Sequence, residues 1–315
     1  MINFFLEKEN YQEHKQITRS KKIYFLGGTI FFIGILIFYN LSKITLFGFL
    51  MYSLGLLSDK NKLSSPIIRF LIQLFIIILT VISCEIYINS TKIIILDELL
   101  RYNNINIFFS SFCLIVLING SNFIDGVNLN LIGYYLLVLL VLLILSLNLD
   151  LKINFYFLYF MISTLTIIFI LNFTGKIVSG DSGAYIYSFV IGIFIIQFSN
   201  ENKFISPLFF AVLLWYPVFE NLFSILRKKQ INISPLKPDF KHLHQLIYEK
   251  IKIKLIKSES LSNNVAGLII LMYNALIFLF SLNFINNTQI LLMIIILNII
   301  VYVKTYFSLN YTIKN

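Results

Sequence analysis

Long runs of aliphatic and aromatic side chains constrain this chain more than any other feature. Residues 67–83 read IIRFLIQLFIIILTVIS and residues 136–147 read LLVLLVLLILSL, and neither run alternates between apolar and polar positions. A run of about 20 mainly apolar residues crosses a bilayer as a helix, whereas the strands of a membrane barrel alternate. Since 58% of the residues are hydrophobic, only 13% are charged and the mean hydropathy is +0.84, a soluble globular domain is excluded.

The apolar runs predict an all-α fold, a polytopic bundle of transmembrane helices with about ten spans. We expect the bundle to form a single membrane domain over residues 1–315, with a polar N-terminal segment at 1–22 and a basic loop at 226–264. The predicted spans are residues 23–40, 44–57, 67–88, 105–118, 129–147, 153–172, 184–198, 204–225, 265–284 and 289–308.

The Lys and Arg residues are divided unequally between the two sides of this bundle. The connectors of one side are residues 1–22, 58–66, 119–128, 173–183, 226–264 and the C-terminal end. Those of the other side are residues 41–43, 89–104, 148–152, 199–203 and 285–288. Twenty of the 25 Lys and Arg residues lie in or beside the first set, which is therefore predicted to be cytoplasmic together with both termini. This asymmetry explains the net charge of +10 without a nucleic-acid partner.

Every unusual polar cluster falls within the first set of connectors. The clusters are SDKNKLSSP at 58–66, NGSNFIDGVN at 119–128, TGKIVSGDSGAY at 174–185 and PDFKHLHQL at 238–246. A transporter places its polar groups near the middle of the membrane, where both faces can reach them. Polar groups confined to one face are more typical of an enzyme that works at the membrane interface, and a transporter of lipid-linked or small solutes is the alternative.

The second and third clusters both combine an acid with glycines. If NGSNFIDGVN is helical, Asn122 and Asp125 are three residues apart and share a face, and their oxygens suit Mg²⁺ or a sugar nucleotide. The alternative is a loop aspartate in water. In GDSG, glycine allows another backbone or a phosphate to approach Asp181 closely, and Asp181 or Ser182 could also cap the helix that follows.

Histidines and an isolated acid mark the last polar region. HLH at 242–244 puts two imidazoles on different faces of a helix, which argues against a zinc pair and leaves phosphate or uracil contact, or simple interface histidines. Glu220 lies inside the apolar stretch LLWYPVFENLF, where an acid is a functional hypothesis by default and where Pro217 predicts a kink or break. KIKIKLIK at 250–257 fits either an amphipathic contact with anionic lipid or a solvated basic loop.

Taken in order, these stretches resemble the polyprenyl-phosphate N-acetylhexosamine-1-phosphate transferases, a family that includes the phospho-N-acetylmuramoyl-pentapeptide transferases. The matching stretches are KKIYFLGGTIFFIG, GLLSDKNKLSSPIIRFLIQ, NGSNFIDGVNLNL, LNFTGKIVSGDSGAY, YPVFENLFSILRKK and PDFKHLHQLIY, which cover most of residues 21–248. The resemblance implies an enzyme of the bacterial inner (cytoplasmic) membrane with its active site on the cytoplasmic face. It implies transfer of a sugar-1-phosphate from a UDP-sugar to a polyprenyl phosphate such as undecaprenyl phosphate, with release of UMP and with Mg²⁺, or Mn²⁺, as the cofactor. UDP-GlcNAc is the first expectation because of its frequency in the family.

The resemblance also assigns roles to individual residues. The implied catalytic residues are Asp59, Asp125 and Asp181. The implied substrate-binding residues are Asn119, Asn122, Asn172, His242 and His244. Arg227 is a further candidate from its position two turns after Glu220, from where it could reach the same site or the lipid headgroups. The resemblance implies Asp181 as a metal ligand, and the shared helix face with Asp125 makes Asn122 a second candidate. The product would enter a cell-surface glycan, such as a cell-wall polymer or lipopolysaccharide, and a homodimer remains an open alternative to a single copy.

Four positions and the N-terminus depart from the family pattern. Ser58 stands where the family has the first acid of an aspartate pair, and Asn128 stands where an acid is often found. Gln245 replaces the third histidine of HLHH, and Glu220 replaces the usual aspartate before the basic pair. The family normally has one more span before the segment 1–22, so we expect a span missing from the deduced start, which would move the N-terminus to the other side. The missing acids keep a non-catalytic relative as a third interpretation.

Overall fold

The computed structural model describes residues 24–38, 42–149, 151–234, 239, 241–256 and 258–314, so the polar segment at 1–22 lies outside the described residues. The elements in chain order are β1 Tyr24–Phe25, α1 Gly27–Phe38, α2 Lys43–Asp59, α3 Pro66–Ser83, α4 Ile94–Leu100, α5 Asn103–Ile124, α6 Asn130–Asn148, α7 Phe155–Phe173, β2 Ile177–Val178, α8 Gly180–Glu201, α9 Pro207–Gln230, α10 Leu243–Lys254, α11 Glu259–Ser281 and α12 Thr288–Lys314.

In the part of the chain that the structure describes, eight helices are long and apolar enough to cross a membrane. They are α3, α5, α6, α7, α8, α9, α11 and α12, and each coincides with one of the predicted spans. The first two predicted spans form shorter helices, since α1 has 12 residues and α2 has 17. The prediction of an all-α, multi-pass bundle is therefore confirmed.

Three predicted connectors are wrong at their edges because helices run into them. α5 continues to Ile124 and so contains most of NGSNFIDGVN, and α8 begins at Gly180, before the predicted start of its span. The predicted basic loop at 226–264 contains the end of α9 and the whole of α10. Composition marks where apolar side chains stop, but a helix continues as long as its polar side chains find partners in the tertiary structure.

A two-stranded parallel sheet corrects the start of the first predicted span. Tyr24 pairs with Ile177 and Phe25 pairs with Val178, so these residues are strand rather than transmembrane helix. The pairing brings the first turn of α1 against the first turn of α8. A Cβ added at Gly28 would lie 2.6 Å from the backbone nitrogen of Gly183, so the helices meet here through their backbones.

The centre of the bundle is α8. In an apolar stretch of 18 residues of α8, 83% of the residues are buried, compared with 28% in the corresponding stretch of α3 and 22% in that of α12. A helix that is apolar on all sides is stable inside a bundle, whereas α3 and α12 have wide faces left for lipid. Because α8 is enclosed by its neighbours, its first turn is reached by side chains from several other helices.

The two sets of connectors lie at opposite ends of the bundle. In the first set, Asn128 donates to Asn264 at 2.8 Å, and Asn264 donates to the carbonyl of Phe173 at 3.0 Å. In the second set, the amide of Asn202 accepts from the backbone N–H of Lys152 and donates to its carbonyl, both at 2.9 Å. All the unusual polar clusters therefore meet at one end.

Pro217 does not break α9, which runs as one helix from Pro207 to Gln230. Proline has no N–H, so the carbonyl of Leu213, four residues earlier, lacks its usual donor. The hydroxyl of Tyr134 on α6 donates to that carbonyl at 2.8 Å. A partner from another helix satisfies the group, so of the expected kink or break the structure contradicts the break.

Candidate active site

The carboxylate of Asp59 caps the buried N-terminus of α8. Its two oxygens accept the backbone N–H groups of Asp181 at 2.7 Å and of Ser182 at 3.0 Å. The first N–H groups of a helix have no partner inside the helix, and a negative charge there also meets the positive end of the helix dipole. The alternative in which Asp181 or Ser182 caps the helix is wrong, because the helix begins at Gly180 and its cap comes from α2.

Gly180 makes this cap sterically possible. Its φ angle is +65°, which L side chains rarely adopt, and an added Cβ would lie 2.8 Å from both oxygens of Asp59. The glycine of GDSG thus allows the close approach that the sequence predicts, and the group that approaches is a carboxylate of the protein.

A second carboxylate lies beside the cap. Oδ2 of Asp181 accepts a hydrogen bond from the hydroxyl of Ser58 and one from Nη1 of Arg69 at 2.7 Å, and Arg69 also donates to the Ser58 oxygen. Asp181 is 3% exposed, so this is a buried ion pair. We call Ser58, Asp59, Arg69 and Asp181 the acid cluster. Ser58, which stands where the family has an acid, is thus a hydrogen-bonded member of this cluster.

Arg69 and Gln73 were not predicted as site residues, yet they connect two of the predicted motifs. They are one turn apart on α3: Arg69 reaches Asp181, and the Gln73 carbonyl oxygen accepts from the Asn119 amide at 3.2 Å. Asn119 also donates to the carbonyl of Ile115 at 2.9 Å. The available signal was an arginine and a glutamine four residues apart in an otherwise apolar run, where polar side chains need partners.

The end of α5 lies between the acid cluster and the C-terminal part of the site. A Cβ at Gly120 would overlap the carbonyl of Pro217, so this glycine lets α5 and α9 meet backbone to backbone. Asn122 lies half-buried in the last turn and Asp125 is the C-cap residue. The charges of Asp125 and Asp59 both act on the Tyr187 hydroxyl, so the two carboxylates lie near the same side chain.

The two histidines of the HLH motif form a second cluster with Glu220 and Asp239, and we call these four residues the histidine cluster. Nδ1 of His242 lies 2.8 Å from Glu220 Oε1, and its Nε2 lies 3.6 Å from Asp239 Oδ1. Nη1 of Arg227 lies 2.7 Å from the other Asp239 oxygen. Burial alone would raise the pKa of Asp239, but Arg227 and His242 outweigh burial and lower that pKa, so the carboxylate is ionised at neutral pH.

His244 is fully buried, and neither of its ring nitrogens has a hydrogen-bond partner among the described residues. Burial, and secondarily the charge of His242, holds the pKa of His244 well below its usual range, so the imidazole is neutral at pH 7. A Cβ at Gly126 would overlap its Nε2, so the glycine next to Asp125 makes room for this ring. A buried, neutral imidazole that lacks a protein partner can accept or donate a hydrogen bond to a ligand.

Asn172 differs from the other predicted substrate-binding residues in its surroundings. Its side-chain oxygen accepts from the backbone N–H of Leu129 at 2.6 Å, and its nitrogen donates to the carbonyl of Ile177 at 2.7 Å. Leu129 has a φ angle of +68°, so Asn172 holds an unusual backbone conformation just after the Asn-rich motif. The Asn172 amide therefore holds the backbone at Leu129 and at Ile177, on two connectors beside the site.

The acid cluster fits one kind of magnesium site. In the described residues, no group of three or more His, Cys, Asp or Glu side chains is arranged to hold a metal ion. Both oxygens of Asp59 accept backbone N–H groups, and one oxygen of Asp181 accepts from Arg69. Mg²⁺ is often held by only one or two carboxylates, with water and substrate phosphates as the remaining ligands. The donor set does not fit a closed protein cage, and a Mg²⁺ ion here would have Asp181 as its carboxylate ligand with water and substrate phosphates as the others.

An apolar cavity of about 360 Å³ lies between α5, α8 and α9. Its lining includes Ile93 and Pro207 at the far end of the bundle and Leu117 and Val218 at the near end. Leu117 and Val218 are each two residues from a polar side chain of the site, Asn119 and Glu220. The cavity therefore runs along the membrane-spanning part of the bundle toward the polar end.

Comparison with known proteins places these features in a family. Residues 41–199 match the family model of glycosyl transferase family 4, which amounts to about half of the chain. The matched segment contains the acid cluster and the Asn-rich motif, whereas the histidine cluster lies beyond its end. No curated protein matches the chain.

Proposed function

This chain belongs to glycosyl transferase family 4, and we propose that it transfers a sugar-1-phosphate from a UDP-sugar to a polyprenyl phosphate and releases UMP. The observation that carries the proposal is the position of the acid cluster and the histidine cluster at one end of the bundle, where the segment from Asn119 to Gly126 contacts the elements of both. An apolar cavity runs along α5 and α9 toward this end, as far as Leu117 and Leu222. An anionic headgroup on an apolar tail and an anionic nucleotide require this combination.

The polyprenyl phosphate is the substrate that suits the cavity. Its tail would lie between α5, α8 and α9, where the lining is almost entirely apolar, and its phosphate would face the acid cluster beyond Leu117. From Pro207 to Leu222 the cavity follows α9 for 15 residues, or about 22 Å at 1.5 Å per residue. Arg69 is the cation placed to meet a phosphate there.

The UDP-sugar suits the histidine cluster. Arg227 and Lys228 bring positive charge to this side of the site, and Lys228 lies 5.8 Å from the centre of the Phe123 ring. His242 and His244 stack in parallel, with centroids 5.7 Å apart and planes at 5°. Imidazole N–H groups and basic side chains bind diphosphates, and flat rings favour a planar base. We therefore assign the nucleotide to this cluster and the lipid phosphate to the acid cluster.

The reaction we propose is a direct displacement. An oxygen of the lipid phosphate attacks the phosphorus bonded to the sugar, the bond from that phosphorus to the bridging oxygen breaks, and UMP leaves with the electron pair. A phosphate monoester has a second pKa of about 6 and is already mostly ionised at neutral pH. The attacking phosphate oxygen therefore needs little help from a base. A protein with Ser58 in place of an acid can therefore still react.

The remaining requirement is to offset repulsion between two anions. A Mg²⁺ ion, or Mn²⁺, bound through Asp181 and Asn122 would supply positive charge to the transferred phosphoryl group. Arg69 and the N-terminus of α8 add fixed positive charge beside Asp181. Asp125 and Asp59 supply the negative charge that keeps the cation near this end of the bundle.

The side of the membrane follows from the basic connectors. In the sequence, twenty of the 25 Lys and Arg residues lie in or beside the first set of connectors, which the positive-inside rule assigns to the cytoplasmic face. We place the protein in a bacterial cytoplasmic membrane with its site facing the UDP-sugar pool. Labelling of single cysteines introduced near Lys60 and near Lys203 by an impermeant reagent distinguishes the two orientations.

Membranes that contain the protein test the proposed function directly. Incubated with undecaprenyl phosphate and a panel of UDP-sugars, beginning with UDP-GlcNAc, they should release UMP and form a lipid-linked sugar of the corresponding mass. Asp181→Asn should abolish the release, while Asp97→Asn, which changes an acid at the opposite end, should retain it. Solute or lipid flux without UMP would favour a transporter, and neither activity with any sugar would favour a non-catalytic relative.

A further inference from the structure

A buried chain of hydrogen bonds joins the last transmembrane helix to the histidine cluster. Glu220 is 1% exposed, and both of its oxygens are used. Oε1 lies 2.8 Å from Nδ1 of His242, and Oε2 accepts the hydroxyl hydrogen of Tyr302 at 2.7 Å. Tyr302 belongs to α12, 82 residues from Glu220 along the chain and far outside the segment that matches the family.

Glu220 determines which nitrogen of His242 faces the site. Because a carboxylate oxygen accepts hydrogen bonds, Nδ1 of His242 is the donor in this contact. Nε2 is then the nitrogen that faces Asp239 and the region we assign to the nucleotide. The imidazole is further held between the Phe123 ring, at 5.1 Å, and the His244 ring, at 5.7 Å. The hydrogen bond on one ring nitrogen thereby fixes the role of the other.

Tyr302 in turn determines how Glu220 is held. A carboxylate without contact with water needs a donor on each oxygen, and the hydroxyl of Tyr302 is the donor on the side away from the site. If that donor is lost, Glu220 can rotate toward other partners, and His242 loses its fixed acceptor. The ring of Tyr302 also packs edge-on against Phe219, with centroids 5.0 Å apart, which fixes the hydroxyl in place.

We propose that Tyr302 is a positioning residue for the nucleotide side of the site, and that it acts through Glu220 to hold His242 with Nδ1 protonated and Nε2 toward the substrate. The proposal rests on the proposed function only in taking the UDP-sugar as the ligand of His242. The Tyr302 hydrogen bond does more than join α12 to α9, because its acceptor, Glu220, is the same carboxylate that orients His242.

The chain offers a matched control. The hydroxyl of Tyr273 on α11 donates to Asn298 on α12 at 2.8 Å, which is also a tyrosine hydrogen bond between helices and has no contact with the histidine cluster. Tyr273→Phe and Tyr302→Phe each remove one hydroxyl and keep the ring. Tyr273→Phe therefore shows whether the loss of an interhelical hydroxyl by itself changes KM for the UDP-sugar.

The first test measures which ring nitrogen of His242 carries a hydrogen. The chain has three histidines, so nitrogen NMR of histidine-labelled full-length protein in lipid bilayers is tractable, and His242→Gln assigns the signal. Native protein and Tyr273→Phe should show His242 with the hydrogen on Nδ1. Tyr302→Phe should shift or broaden that Nδ1 signal. An unchanged His242 signal in Tyr302→Phe would overturn the proposal.

The second test uses kinetics and coupling. Tyr302→Phe should raise KM for the UDP-sugar about ten-fold, the effect of weakening one hydrogen bond to a charged group, with a smaller change in kcat and none in KM for the lipid. In a Glu220→Gln background the same change should add less than about two-fold, because residues that act through one another are not additive. Full additivity, or an equal effect of Tyr273→Phe, would refute the role. If native protein releases UMP from no UDP-sugar, the proposed function fails, and the NMR result still decides the role of Tyr302.

Discussion

Replacing Asp59 tests whether its carboxylate is primarily a helix cap. Asp59 is 8% exposed, and its oxygens accept the N–H groups of Asp181 and Ser182 at 2.7 and 3.0 Å. Asp59→Ala removes both acceptors, and each buried donor that loses its acceptor costs about 1–3 kcal/mol, so the free energy of unfolding should fall by roughly 2–6 kcal/mol. Asp59→Asn keeps one acceptor and should cost about 1–3 kcal/mol.

The assay is reversible unfolding of the purified protein in mixed micelles, followed by loss of helical circular dichroism. Asp97 provides the control, because its carboxylate also accepts backbone N–H groups, those of Thr91 at 2.6 Å and Lys92 at 3.1 Å. Asp97 is half-exposed, so water can replace the lost partner, and Asp97→Asn should cost less than about 1 kcal/mol.

The order of the two substitutions is decisive. A capping role requires Asp59→Ala to unfold more easily than Asp59→Asn, and both to unfold more easily than Asp97→Asn. It also predicts that Asp59→Asn retains measurable UMP release, whereas Asp181→Asn does not. Native stability in Asp59→Ala combined with complete loss of turnover would refute the capping argument and assign Asp59 a direct role in the chemistry.

Three further substitutions probe other parts of the site. Ser58→Ala removes a buried hydroxyl from the acid cluster and should lower the free energy of unfolding by about 1 kcal/mol in the same assay. Gly126→Ala should displace the ring of His244 and raise KM for the UDP-sugar, whereas Gly48→Ala, where a Cβ meets no atom within 4 Å, should leave KM unchanged. Leu117→Trp should fill the near end of the apolar cavity and slow transfer to undecaprenyl phosphate more than transfer to a short-chain polyprenyl phosphate.

The transmembrane architecture could be predicted from the sequence because the information is local. A helix in lipid needs its own run of apolar residues, and such runs are visible without knowledge of the partners. The same local logic failed where polar residues continue a helix, as at the end of α5 and the start of α8. There the backbone is stabilised by groups from elsewhere in the chain, such as Asp59, which lies 122 residues from the N–H of Asp181.

Motif positions could be predicted in the same way, but the partners of the motif residues could not. The parallel pairing of Tyr24 with Ile177 depends on how α1 packs against α8, and the position of Arg69 against Asp181 depends on where α3 lies relative to the start of α8. The sequence predicted Asn172 as a substrate-binding residue and contained no sign that its amide would hold the backbone at Leu129. The role of such a residue depends on neighbours that only the folded chain supplies.

The decapeptide NGSNFIDGVN lies between the acid cluster and the histidine cluster and contacts elements of both. Its first residue, Asn119, contacts the helix that carries Arg69, and its second glycine, Gly126, contacts His244. The family model matches residues 41–199, a segment that contains the acid cluster and ends before the histidine cluster. If the acid cluster serves chemistry that is common to the family and the histidine cluster binds the nucleotide, differences in sugar preference should map to residues after 199. Exchanging residues 226–256 with those of a relative that uses another UDP-sugar should then change the donor and leave the lipid acceptor unchanged.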